Sequence, residues 1–138
     1  MKEIWLVNGV NLGQLGCREV NVYGHERFED YFKTLQSRFQ EIDLHCYQSN
    51  REGDIVECLL EHGNVDGIVL NPGAFTHTSI VLADTIKSLH TKVIEVHISN
   101  LFGREQYRKH SWIAGCCAGF ISGFGLKSYE LAILALIT

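Results

Sequence analysis

The chain has 138 residues, 46% of them hydrophobic and 20% charged, the size and mix of one compact domain, which excludes disordered, collagenous and low-complexity architectures. Twelve Lys+Arg against 16 Asp+Glu leave a formal net charge of −4. That balance argues against nucleic acid as the main partner, because binding phosphates takes a basic face.

In chain order, Ile4-Trp5-Leu6-Val7 is a short apolar run bounded by turn-like residues, the pattern of a buried strand. A 16-residue connection from Asn8 to Tyr23 follows, long for a βα loop and of the length that active-site lids have. Phe28, Phe32, Leu35 and Phe39 recur every three or four positions, one stripe of an amphipathic helix. Ile42, Leu44 and Cys46 alternate with Asp43 and His45, predicting a strand buried on one face. Ile55, Val56, Leu59 and Leu60 form a second helical stripe that Gly63 closes as a C-cap. Gly67-Ile68-Val69-Leu70 is a third strand, and the hydroxyl-rich stretch Thr76 to Ser79 opens a helix carrying Ile80, Val81, Ile86 and Leu89. Val93-Ile94-Glu95-Val96 is a fourth strand and Phe120 to Phe124 a weaker fifth, diluted by glycine. A last helix, Leu126 to Ile137, is apolar on most sides.

Strands alternating with helices throughout, joined by right-handed crossovers, predict a three-layer α/β sandwich with a parallel sheet. For five strands the flavodoxin-like order 2-1-3-4-5 is the expectation, in a single domain spanning 1–138.

Ligands of open parallel sheets bind beyond the carboxyl ends of the strands. Asn8 to Gly13 follow the first strand and Asn71 to Ser79 the third, while the fourth ends in Glu95-Val96-His97-Ile98-Ser99-Asn100. Glu95 and His97, two apart on a strand, share a face, so the carboxylate can hold one imidazole N–H and orient a general acid. A purely structural hydrogen-bonded pair and a metal site are the competing readings. Arg18 and Tyr23 lie in the long loop, where a guanidinium beside a phenol favours phenolate; a surface arginine and a core tyrosine are the plainer alternative. Asn11 and Asn71 are turn residues or ligand-orienting amides, and His77 is a solvated turn residue or a donor to a bound hydroxyl. Asp84 reads as a solvent-facing charge. Arg104, Arg108 and Lys109 form a basic group, either a solvated helix face or, at Arg108, an anion contact.

Other chemistries lack their signatures. There is no Gly-x-Gly-x-x-Gly, no Walker lysine and no Gly-x-Ser-x-Gly elbow, and Asn71 stands where a phosphorylatable aspartate would follow the third strand. Cys17, Cys46, Cys58, Cys116 and Cys117 include no Cys-x-x-Cys pair, an odd set expected to be reduced packing residues in a cytoplasmic protein. No apolar run approaches the roughly 18–20 residues of a membrane span, and the amino end lacks a signal peptide's apolar segment.

Several blocks, in order along nearly the whole chain, resemble the type II 3-dehydroquinate dehydratase family. They are Asn8-Gly9-Val10-Asn11-Leu12, Gly16-Cys17-Arg18-Glu19 with Val22-Tyr23-Gly24, Gln48-Ser49-Asn50, Asn71 to Ser79, Ile94 to Asn100, Arg104-Glu105 with Arg108, His110-Ser111 and Gly123-Phe124-Gly125. The resemblance implies a flavodoxin-like fold, a homododecamer built from trimers, and conversion of 3-dehydroquinate to 3-dehydroshikimate by anti elimination through an enolate, without cofactor or metal. It makes Tyr23 the base, Arg18 the group that favours its phenolate, and Asn11 the holder of a water on the enolate oxygen. His97, backed by Glu95, becomes the acid. Asn71, His77, Arg108 and the Ile98-Ser99 backbone become the substrate-holding groups, and Asp84 a residue lent to a neighbouring subunit. Val10 and Val20 stand where the family usually has proline, so both ends of the lid lack a fixed φ. Gly103, Gln106-Tyr107 and Tyr47 also depart from the usual pattern. The competing class is a non-catalytic binder of cyclic polyol carboxylates on the same scaffold, and a third is an electron-transfer flavoprotein.

Overall fold

A computed structural model of the protein describes residues 1–10, 12 and 27–138. β1 (Lys2–Asn8), β2 (Ile42–Gln48), β3 (Gly67–Asn71), β4 (Val93–His97) and β5 (Gly119–Ser122) form one parallel sheet in the order 2-1-3-4-5. The helices are α1 (Phe28–Arg38), α2 (Glu52–Glu61), α3 (Ile80–Lys87) and α4 (Lys127–Ile137). The expected fold class is the one observed.

Period-two alternation divides the strands between two cores. Ile4, Leu6, Val69, Ile94 and Val96 face one side and pack with Phe32 and Leu35 of α1, Phe39, and Tyr129, Ala132 and Ile133 of α4. Val7, Ile68, Leu70 and Val93 face the other, against Ile55 and Leu59 of α2 and Leu82, Ala83 and Ile86 of α3. Each fully covered aliphatic side chain contributes about 1.5–3 kcal/mol, so these two layers, rather than helix propensity, fix the architecture.

Local differences from the sequence reading have identifiable causes. The covered face of α3 is Leu82, Ala83, Thr85 and Ile86, while Ile80 and Val81 are 55% and 52% exposed. Ser79 caps this helix as expected, its hydroxyl accepting the Leu82 N–H at 3.0 Å, and the packing of Leu82, Ala83 and Ile86 against the sheet defines the covered face. On α2 Leu60 is exposed and Cys58 is buried in its place. The C-cap of α2 is His62 rather than Gly63. Gly63 is a packing glycine, since a Cβ there would stand 3.1 Å from Leu89. Cys46 is exposed on the edge strand β2. Burial pushes the Cys58 thiol up to about 11 and that of Cys117 up to about 12, as befits unreactive packing thiols. The described cysteines are free, and Cys17 lies outside the described residues.

The largest departure is between β4 and β5, where continued alternation called for an α-helix. The chain instead makes three short 3₁₀ turns, Leu101–Gly103, Gln106–Lys109 and Ala114–Cys116. Side-chain oxygens offer the backbone another partner here: Asn100 accepts the Phe102 N–H, and Ser111 accepts those of Ile113 and Ala114. Arg108 and Lys109 therefore sit on a turn rather than on a solvated helix face.

Candidate active site

Pairing between β3 and β4 stops at Leu70↔Glu95, and β3 turns away at Asn71 and Pro72. The carboxyl ends of β1, β3 and β4 thus part around a cleft of about 90 Å³ among the described residues. It is lined by Val10 and Leu12 beyond β1, Asn71, Gly73, Ala74 and His77 beyond β3, and His97, Ile98, Ser99, Leu101, Arg104 and Arg108 beyond β4. Gly9 and Gly73 let the first two walls approach. A Cβ on Gly9 would fall 2.4 Å from the Pro72 carbonyl oxygen, and Gly73 holds a φ of 61°.

Behind the cleft, the Tyr129 hydroxyl donates to Asn8 Oδ1 and accepts from Asn71 Nδ2, each at 2.8 Å. Asn71 Oδ1 also accepts the Gly73 N–H at 3.1 Å. The Asn71 amide is therefore built into the scaffold as well as facing the cleft, and Tyr129, absent from the sequence candidates, ties β1, β3 and α4 together. Tyr129→Phe strands a buried acceptor on Asn8 and a donor on Asn71. It is expected to cost about 1–3 kcal/mol, read as a lower urea midpoint with an unchanged slope.

Glu95 is fully buried and His97 is 5% exposed. The His97 Nε2 lies 2.5 Å from Glu95 Oε2. A carboxylate only accepts, so Nε2 carries the proton of this bond and Nδ1 is the nitrogen left for a ligand. Thr76 Oγ1 also reaches Glu95 Oε2, and Ser111 Oγ reaches Oε1 at 3.0 Å. Burying an ion costs several kcal/mol, and replacing such a pair by apolar residues is often neutral or stabilising. Stability alone therefore gives a poor reason for a carboxylate at this depth, and an oriented imidazole at a cleft gives a good one.

His77 Nδ1 lies 2.7 Å from the His110 carbonyl oxygen, an obligate acceptor, so Nδ1 carries the proton. Burial, opposed by that hydrogen bond and reinforced by the neighbouring His97 and Arg108, holds its pKa below the ordinary histidine value. In the neutral ring Nε2 is then an acceptor for a ligand hydroxyl, rather than the donor anticipated from sequence. Arg108 is anchored through Nε on Glu105 at 2.7 Å, and Arg104 donates to Ser99 Oγ at 3.3 Å. Two guanidinium groups thus line the cleft, both near the Glu105 carboxylate, a wall suited to a hydroxyl-bearing, anionic ligand.

The structure therefore gathers His97, Glu95, Asn71, His77, Ile98, Ser99 and Arg108 at one cleft. Asp84 is exposed on α3 and does not line it. Asn11, Arg18 and Tyr23 lie outside the described residues. Thr76 lies in a short 3₁₀ turn, Gly73–His77, ahead of α3 rather than in it, and Ser111 reaches Glu95 through the fold of the 98–118 segment, so neither role is legible in residue order. Among the described residues the trio that could hold a metal ion, Glu3, Asp43 and His45, sits toward the amino ends of β1 and β2, away from this cleft.

Fold and cleft together define a flavodoxin-like α/β protein with a carboxylate-held imidazole facing a cationic small-molecule site. More narrowly, the sequence matches the family Dehydroquinase class II over residues 2–137, and the chain belongs to that family. It is 47% identical to a 3-dehydroquinate dehydratase of Bacillus cytotoxicus over 140 residues, covering 99% of this chain and 96% of the relative. The corresponding protein of Caldicellulosiruptor saccharolyticus is 44% identical over 140 residues, with 99% and 97% covered. The crystal structure of a type II dehydroquinase from Butyrivibrio crossotus superimposes with a TM-score of 0.96 at 43% identity, over 99% of this chain and 98% of that one.

Proposed function

We infer that the chain, acting as a single catalytic domain over 1–138, is a hydro-lyase that converts 3-dehydroquinate to 3-dehydroshikimate in the shikimate pathway. The observation that carries this reading is the buried Glu95–His97 pair opening on the arginine-lined cleft, in a member of this family. Elimination of water beside a ketone needs a base for the α-proton, stabilisation of the enolate, and an acid for the departing hydroxide. Tyr23, as phenolate favoured by Arg18, takes the proton from carbon, and Asn11 holds a water against the enolate oxygen. When the enolate collapses, His97 gives the Nδ1 proton to the leaving hydroxyl, water departs, and Glu95 stabilises the imidazolium beforehand. The Ile98-Ser99 backbone and Asn71 hold the carboxylate, while Arg108 and Nε2 of His77 hold ring hydroxyls. No cofactor is required, because the proton alpha to the ketone is already acidified by the substrate's own carbonyl.

Purified protein mixed with 3-dehydroquinate is expected to develop the ultraviolet absorbance of a conjugated enone at a rate that chelator leaves unchanged. Calorimetric binding without product would instead favour the binder of polyol carboxylates.

Asp84 completes the site from a neighbouring copy in a homo-oligomer, for which a dodecamer of trimers is the reading. In support, Asp84 shares an exposed face of α3 with Ile80 and Val81, at spacings of four and three, so an acidic group and uncovered apolar surface point outward together. Among the described residues no helix is long and apolar enough to cross a membrane. We place the protein in the cytoplasm.

A further inference from the structure

The two site histidines present opposite ring nitrogens to the protein, and one three-residue segment stands behind both. Ser111 Oγ accepts the N–H groups of Ile113 at 3.2 Å and Ala114 at 3.0 Å, so its lone pairs are used and its single proton is left to donate. Two acceptors lie within its reach, the Thr76 hydroxyl oxygen at 2.7 Å and the carboxylate of Glu95 at 3.0 Å, which also takes the Thr76 hydroxyl and the Nε2 proton of His97, so Ser111 serves Glu95 directly or through Thr76. One residue earlier, the His110 carbonyl takes the Nδ1 proton of His77. One residue later, Trp112 closes the arrangement. Its backbone N–H donates to the Thr76 carbonyl at 2.9 Å and its indole N–H to the His77 carbonyl at 3.0 Å.

We propose that His110–Trp112 is a positioning brace that assigns the ring-nitrogen roles of both site histidines, with Ser111 and Thr76 acting on His97 through Glu95 and the His110 carbonyl acting directly on His77. Without its hydroxyl donors the carboxylate can rotate about its terminal torsion, which has no sharp staggered minimum, and Nε2 loses a fixed partner. The imidazole then spends part of its time with the wrong nitrogen toward the cleft. Ser111 and Thr76 touch no substrate in this arrangement, so their effect is on turnover rather than on binding. The inference rests on reading His97 as the acid of the elimination.

The test uses the full chain as wild type, Ser111→Ala, Thr76→Val and the conservative Thr76→Ser. Steady-state kinetics on 3-dehydroquinate are paired with long-range ¹H–¹⁵N spectra of the histidine rings. At a pH where both rings are neutral, the state His97 returns to after giving up its Nδ1 proton, wild type is expected to show opposite single tautomers, Nε2–H at His97 and Nδ1–H at His77. Ser111→Ala and Thr76→Val each lower kcat by roughly ten- to a hundredfold with little change in KM, the loss associated with one hydrogen bond to a charged group. In both variants His97 loses its single-tautomer pattern while His77 keeps its own, and Thr76→Ser restores both kcat and the spectrum. Unchanged kcat with an unchanged His97 spectrum in either folded variant would overturn the brace. A wild-type chain that leaves 3-dehydroquinate intact would overturn the catalytic reading instead, and the tautomer pattern in the variants then decides the brace by itself.

Discussion

Phenylalanine at position 23 is expected to remove nearly all turnover, a fall in kcat of roughly 10²–10⁴-fold, in a chain that keeps its fold. An unperturbed tyrosine has a pKa of about 10, so at neutral pH it works as a base only where something favours its phenolate. Arg18, five positions earlier and unable to lose its own proton, is the group assigned to that task, so Arg18→Ala is expected to act in the same direction. Among the described residues the two apolar layers that hold the sheet are formed by the strands and the four helices, and the fold is expected to persist in both variants. Circular dichroism and thermal unfolding should therefore match wild type. Full activity in either variant would remove Tyr23 and Arg18 from the roles given to them.

The second large effect is at the acid. His97→Ala is expected to lower kcat by roughly 10²–10⁴-fold, because hydroxide is a poor leaving group without a proton donor. Glu95→Gln keeps the volume but removes the charge that stabilises imidazolium, and places an amide N–H where acceptors are needed. The oxygen of the amide can still accept from Thr76 and His97, but Ser111 is left with the Thr76 hydroxyl as its acceptor. If Glu95 and His97 act as one unit, the double variant is little worse than His97→Ala alone, a non-additivity that steady-state kinetics would reveal. Losses that simply multiplied would mean that the carboxylate acts independently of the imidazole.

Much of this was readable from residue order. The sheet was legible because its strands are short β-branched runs between turn signals, and their alternation reports which face each side chain takes, including the shared face of Glu95 and His97. The site's location followed from the rule that open parallel sheets bind ligands beyond their carboxyl ends. What was not legible depended on tertiary contacts. Periodicity marks α3 but assigns Ile80 and Val81 to its covered face, because a helix with apolar residues on several sides does not specify its own rotation; the packing of Leu82 and Ile86 does. Alternation with the other crossovers predicts a helix between β4 and β5, whereas Asn100 and Ser111 divert that backbone into 3₁₀ turns. That diversion carries Ser111 to Glu95 and the His110 carbonyl to His77, so the residues supporting the site were hidden by the same error. Tyr129 was one apolar-helix residue among several, and only the fold places its hydroxyl between Asn8 and Asn71.

A crystal of the chain soaked or grown with 3-dehydroquinate, or with a ring analogue bearing a planar enolate-like carbon, addresses the chemistry most directly. The expected arrangement has the ring in the cleft, its departing hydroxyl within hydrogen-bond reach of His97 Nδ1, and the Tyr23 oxygen against the carbon that loses its proton. A ring bound elsewhere, or a phenol with no path to that carbon, would contradict the elimination even with the sandwich unchanged.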